Sequence, residues 1–169
     1  IGYNSLAFDP QNIEMAACVL MGELIFGETS DLYKKLVLDE QRVQYLGANF
    51  SSYRDPRLLT ISTMIKKEND IRSIEREIDR AIEHFKTHPV EEQNLNDLKN
   101  HLKYRFLMRL NTPSRVAGSL ARIIAMTGRI QAVDQLYATF DRVTPEDIVK
   151  AANTFLVEEK QTVIVLKGR

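Results

Sequence analysis

The sequence predicts an α+β fold: two layers, with helices packed on one face of a mainly antiparallel sheet. Three observations predict it. Short β-rich runs stand at the start, in the middle and at the end of the chain, and helical periodicities fill the intervals between them. The order β, α, α, β, β, several helices, β also lacks the alternation of a doubly wound parallel sheet.

The opening "IGYNSLAF" is short and mostly apolar, as expected for a strand running into a turn. Asp9 and Pro10 then supply a cap and a first helical residue, and Ile13, Ala16, Ala17, Leu20 and Leu24 recur at helical spacing as far as Gly27. A buried helix over residues 10–26 is expected. Thr29 or Ser30 caps a shorter one through "DLYKKLVLDE".

From Arg42 the period changes. "RVQYLGANFSS" and "RLLTISTMIKK" are rich in β-branched and aromatic residues, with "YRDP" at 53–56 as the turn of a hairpin. Leu59, Ile61 and Ile65 share one face and Thr60 and Ser62 the other, so helices should cover one side of the sheet. The stripe Ile71, Ile74, Ile78, Ala81, Ile82 and Phe85 predicts a helix lying across it, and Leu95, Leu98, Leu102 and Phe106 predict the next. Thr112 with Pro113, and Thr144 with Pro145 and Asp147, read as capped helix starts, the second as a capping box; Gly128 is a stop between them. "QTVIVLKG" is expected to return as a last strand. With no repeat, low-complexity tract or linker, residues 1–169 read as a single domain.

Length and composition narrow the function classes. A chain of 169 residues can bury roughly 70% of its unfolded surface without a disulfide or a metal. Lys and Arg total 23 and so do Asp and Glu, a balance that argues against nucleic acid or an acidic membrane as partner. Cys18, the only cysteine, lies in an apolar stretch and reads as a buried thiol. The longest apolar run, "MAACVLM" at 15–21, is far short of the ~20 residues of a membrane span, so a soluble chain is expected. It starts at Ile1 with neither a start methionine nor a leader, and is read as a segment of a longer polypeptide. Its compartment stays open, bacterial periplasm or cytoplasm being the candidates.

"EHFKTH" at 83–88 places His84 and His88 four apart on a helix, a spacing at which two imidazoles can share a zinc ion. The order is wrong for helical zinc peptidases, which hold a glutamate between the histidines of His-Glu-x-x-His or its inverse His-x-x-Glu-His; here Phe85, Lys86 and Thr87 intervene. His88 also precedes Pro89, which disfavours a helical backbone at the second histidine. The pair is read as flanking the buried stripe. His101 has no partner nearby in sequence, and no phosphate loop, nucleophile motif or cysteine cluster is present.

Four stretches carry a family resemblance: "GETSDLYKKLVLDE" at 27–40, "NLNDLKNHL" at 94–102, "TPEDIVKAANTFL" at 144–156 and "QTVIVLKG" at 161–168. In order and spacing they resemble the second, non-zinc-binding domain of the M16 zinc peptidases, the group of insulinase, pitrilysin and the mitochondrial processing peptidase. The resemblance spans nearly the whole chain and begins inside the domain's first strand. It implies helices on an antiparallel sheet, of the LuxS/metallohydrolase-like type, duplicated within the parent polypeptide. It implies further that zinc is bound by His-x-x-Glu-His in the adjoining N-terminal domain and activates water there. Paired halves would close around an unfolded peptide, this domain contributing chamber wall and interface to its zinc-bearing neighbour and to a homologous partner subunit or half.

The helix equivalent to the zinc-binding one reads "PQNIEMAACVLMGELIF" and holds no histidine, so no catalytic residue, metal ligand or cofactor is expected in this segment. Glu14 and Glu23 on it are expected to be solvated or interfacial. Some non-zinc domains of the family carry an arginine and a tyrosine that reach the substrate across the chamber; alignment on "LYKKLVLDE" puts Val37 and Gln44 at those positions, and no substrate-binding residue is expected there. Tyr45 is expected to pack across strands. The leading expectation is the inactive C-terminal domain of a zinc-bearing subunit whose parent is a zinc metalloendopeptidase. The alternatives are a structural relative such as the core proteins of respiratory complexes, or a peptide-binding module. His-x-x-Glu-His upstream in the parent favours the first.

Overall fold

The computed structural model describes residues 1–50 and 53–167. Ser51 and Ser52 of the first hairpin run, and Gly168 of the closing run, lie outside the described residues. Among the described residues, β1 (Gly2–Asn4), β2 (Val43–Phe50), β3 (Leu58–Ile65) and β4 (Gln161–Thr162) form one antiparallel sheet in the order β2-β3-β1-β4.

The hairpin forms where the β-branched runs predict it. Phe50 pairs with Leu59 and Gly47 with Ser62, after which the register shifts between Leu46 and Val43. Leu59 and Ile61 are buried beneath the helices and Ser62 is exposed on the other face, as the alternation requires.

Helix α1 (Ile13–Phe26) runs through the centre, against β2 and the helices α4 (Glu92–Arg109), α6 (Ala132–Arg142) and α7 (Pro145–Phe155). Met15, Ala16, Ala17, Cys18, Leu20 and Met21 are all buried, so α1 is apolar on most sides rather than along one stripe, with Glu14 and Glu23 as its charged positions. Gly22 lets it lie close on the sheet, since a Cβ there would stand 3.2 Å from the Ala48 Cβ. The helix starts three residues later than expected. Asp9 accepts from the Gln11 amide at 2.9 Å and closes a turn, and Asn12 is the cap, accepting from Met15 N at 2.9 Å.

Ser30 caps the one-turn α2 (Asp31–Tyr33), which continues as a π-helix over Lys34–Asp39. The wider turn sends Leu36 into the core and leaves Leu38 exposed. Helix α3 (Ile71–Thr87) buries Ile74, Ile78 and Ile82, each contributing about 1.5–3 kcal/mol on leaving water. It ends where Pro89 predicts, with His88 already extended at φ −121° and ψ 115°. Helix α4 buries Leu95, Leu98 and Leu102.

Helix α5 (Pro113–Thr127) is capped by Thr112 and stopped by Gly128, whose φ of +74° is left-handed and favours glycine. Helix α7 carries the capping box, Asp147 N donating to Thr144 Oγ1 at 3.3 Å and Thr144 N to Asp147 Oδ2 at 3.0 Å.

The closing strand is shorter than expected. β4 stops at Thr162, and Val163, Ile164, Val165 and Leu166 stand exposed. Among the described residues β4 pairs with Gly2 and Tyr3 of β1.

Candidate functional site

Helix α1 is the place where a zinc site would be sought, and its side chains are committed otherwise. The Glu14 carboxylate accepts from Lys150 Nζ at 3.0 Å and ties α1 to α7; Glu23 accepts from Arg105 Nη2 at 2.6 Å and ties it to α4. The Cys18 thiol, fully buried, has its pKa pushed up to about 12 by desolvation and by the charge of Glu14. A thiol so disposed is an inert packing group. These residues do not fit a zinc ion, which needs deprotonated, converging ligands.

The structure does bring His84 and His88 together, but not as ligands. Their rings stack with centroids 4.5 Å apart and planes inclined by 13°. His88 Nδ1 lies 2.9 Å from Thr87 Oγ1 and 3.2 Å from the His84 carbonyl oxygen. Among the described residues no group of three or more His, Cys, Asp or Glu side chains could hold a metal ion.

His84 and His101 face a shared open groove of about 730 Å³ between the end of α1, α2, α3 and α4. Leu24, Ile25, Phe85 and Leu98 contribute its apolar lining. On its rim, Lys35 donates to Glu77 at 2.9 Å and Arg80 to the same carboxylate at 3.3 Å. The hydrogen bond from Lys35 holds the Glu77 pKa below the usual glutamate value. Lys35, Glu77 and Arg80 thus form a matched set of charges on the rim.

Val37 and Gln44 are placed differently from each other. Val37 is half-buried on the π-helix and packs against the core, whereas Gln44 is exposed on β2. Tyr45 sits in the irregular stretch between Val43 and Leu46; its ring is about half exposed, and its carbonyl accepts from the Thr63 hydroxyl at 2.8 Å.

A feature that sequence reasoning missed lies on α4 and α5. Helix α5 has no buried residue along its 15 positions and packs chiefly on α6. Its Ile124 is exposed, as are Tyr104, Leu107 and Met108 on the preceding end of α4. Arg122 anchors α5 to the hairpin tip, its guanidinium lying 5.2 Å from the Tyr53 ring centroid, with Arg57 at 4.1 Å from the same ring. The signal was available in "YRFLMRL", where apolar residues depart from the stripe of Leu95, Leu98 and Leu102.

Among described residues no helix is long and apolar enough to cross a membrane. Comparison with known proteins gives a consistent picture. A family model described as the peptidase M16 inactive domain matches residues 2–102. No curated protein matches. A protease from Helicobacter pylori superposes with a TM-score of 0.80 at 20% identity, over 94% of this chain and 38% of that one. The peptidase M16 inactive domain from Pseudomonas fluorescens gives 0.72 at 13% identity, over 95% of this chain and 40% of the other. A chain of complex III2 from Candida albicans gives 0.72 at 11% identity, over 91% and 38%. At such identities the superpositions speak for the fold, and the chain spans about two fifths of the length of these three structures. The family-model match, over more than half of the chain, establishes that the chain belongs to the peptidase M16 inactive-domain family.

Proposed function

We propose that residues 1–169 are one domain, the non-catalytic second domain of a longer, two-domain subunit of an M16-type zinc metallopeptidase. It forms wall and interface of a substrate chamber in which a neighbouring zinc-bearing domain hydrolyses an unfolded peptide. The observation that carries this reading is α1: the central helix of an M16 fold, with Glu14 and Glu23 engaged by Lys150 and Arg105 and Cys18 sealed in the core. Chemistry would then reside outside this chain. The exposed apolar side chains of α4 and α5 support the interface role, because a helix with no buried residue contributes little to this domain's own core.

Val37 and Gln44 stand, on this reading, where related domains carry a substrate-reaching arginine and tyrosine. Neither can supply a cation or a phenol, so those groups would come from a homologous partner subunit. The likeness to a chain of complex III2 favours a second reading, a structural domain of an assembly without peptidase activity.

Reconstitution tests the proposal. The domain, mixed with the zinc-bearing domain and the partner subunit, is expected to raise hydrolysis of an unstructured fluorogenic peptide at least tenfold above that of those components without it. Full activity in its absence contradicts the proposal, and a stable assembly with no hydrolysis supports the structural reading.

A further inference from the structure

The chain balances 23 basic against 23 acidic residues, but not evenly along its length. Residues 98–133 contain Lys99, Lys103, Arg105, Arg109, Arg115, Arg122 and Arg129 and no aspartate or glutamate. Four of these cations are engaged within the fold: Lys99 by the carbonyls of Asp141 and Val143, Lys103 by the Asp141 carboxylate, Arg105 by Glu23, and Arg122 beside the Tyr53 ring. The other three differ. Arg115 donates to the neutral Asn111 amide oxygen at 3.5 Å, and Arg109, Arg115 and Arg129 form no ion pair with a carboxylate among the described residues.

These three arginines border exposed apolar side chains. Arg109 follows Tyr104, Leu107 and Met108 at the end of α4, all of them exposed. Arg115 stands in the first turn of α5 and Arg129 just past its Gly128 stop, about 20 Å further along the helix, with exposed Ile124 between them. Like charges gathered around uncovered apolar surface add repulsion and no packing to the domain itself. A partner that brings carboxylates and an apolar centre reverses both effects.

We propose that the end of α4 and the outward side of α5 dock a protein segment whose carboxylates surround an apolar centre, the carboxylates falling opposite Arg109, Arg115 and Arg129. The inference deepens the interface role given to this surface under the proposed function, and rests on it, by stating the chemistry of the partner's face. Two features favour a protein over a lipid surface. The cations left without a carboxylate are all arginines, whose planar fork grips a carboxylate through two parallel hydrogen bonds, whereas both lysines of the segment are engaged inside the fold. On α5, Val116, Leu120 and Ile123 are half-buried, while Ala117, Gly118, Ala121 and Ala125 are exposed around Ile124. Such a face lets a partner backbone approach closely, but it lacks the large apolar side chains that an interfacial helix sinks among lipid chains.

Binding of two synthetic peptides to the chain of 169 residues tests this, read by fluorescence anisotropy and by amide chemical shifts. One is Glu-Leu-Glu-Glu-Leu-Leu-Glu-Glu; the other has lysine for every glutamate. At about 50 mM NaCl the acidic peptide is expected to bind at submillimolar concentration, to shift amides at the end of α4 and along α5, and to weaken at least tenfold at about 0.5 M NaCl. The triple variant Arg109→Glu, Arg115→Glu, Arg129→Glu alters exposed side chains and is expected to bind it at least tenfold more weakly. Lys66→Glu, Arg72→Glu, Arg76→Glu makes the same change of charge at exposed positions in and before α3, and is expected to lose less than threefold. No binding of the acidic peptide at about 1 mM, equal binding of the lysine peptide, or equal losses in the two triple variants overturns the proposal. Tighter, arginine-dependent binding to phosphatidylserine vesicles or to single-stranded DNA also overturns it, by assigning the face to a lipid surface or a nucleic acid. The test involves no zinc, hydrolysis or second domain, so its failure is distinguishable from failure of the proposed function, which reconstitution judges.

Discussion

The buried ammonium of Lys99 on α4 donates to the carbonyl oxygens of Val143 at 2.6 Å and Asp141 at 3.3 Å, binding α4 to the C-terminal end of α6. A cation is well placed there, because the last carbonyls of a helix lack intrahelical donors and carry its negative end. Replacing Lys99 by Met removes the donor and leaves those carbonyls unsatisfied. It is expected to cost about 1–3 kcal/mol at neutral pH, measured by urea unfolding. Burial lowers the pKa of Lys99 from 10.5. Between the lowered value and 10.5 the unfolded chain holds a proton that the folded one has released, so this group's contribution to stability rises with pH across that window. The deficit of Lys99→Met should therefore grow toward pH 10.5 and flatten below the folded pKa.

Cys18 should resist thiol reagents in the native state. With its pKa moved from 9.0 to about 12, the thiolate fraction at pH 8 falls roughly a thousandfold relative to the unfolded chain. Native alkylation by iodoacetamide is expected to be slower than in urea by at least that factor. Comparable rates in the two states would place Cys18 outside the core.

The capping box of α7 gives a stability prediction with an internal check. Thr144→Ala is expected to cost about 0.5–2 kcal/mol, and Asp147→Ala a smaller amount. The two side chains bond reciprocally, so the double substitution should cost less than the sum of the singles.

The same capping chemistry explains why much of the fold was legible in the sequence. Thr112 and Pro113, Thr144 and Pro145, and Gly128 mark helix ends by local hydrogen bonds that hold whatever the tertiary context. The hairpin was legible for a similar reason, its two β-branched runs flanking "YRDP". The start of α1 was misplaced because Asp9 and Asn12 are both good caps, and only the folded chain shows which one bonds to a helical amide. The π turn at Lys34–Asp39 and the register shift before Leu46 leave no mark in side-chain periodicity, since each adds a residue without changing composition. Lys99 was missed because a lysine beside Leu98 reads as a solvated flank until α6 is known to end above it. The sequence itself shows that the histidine pair lacks an intervening glutamate, whereas the stacking of the two rings depends on His88 leaving the helix at Pro89.

The surface of α4 and α5 offers a test of the proposed interface. Leu107→Glu and Ile124→Glu alter exposed side chains, so the isolated domain should keep its stability within about 0.5 kcal/mol. On the proposed function, association with a zinc-bearing M16 domain, followed by titration calorimetry, is expected to weaken at least tenfold. Unchanged affinity for both variants would move the interface elsewhere.

The most direct test of the central claim is the zinc content of the purified domain, with hydrolysis of an unstructured fluorogenic peptide followed in the same sample. The account predicts less than about 0.1 zinc per chain and no cleavage, with His84→Ala and His88→Ala indistinguishable from the parent. One tightly bound zinc per chain, lost in either histidine variant and accompanied by cleavage, would contradict it.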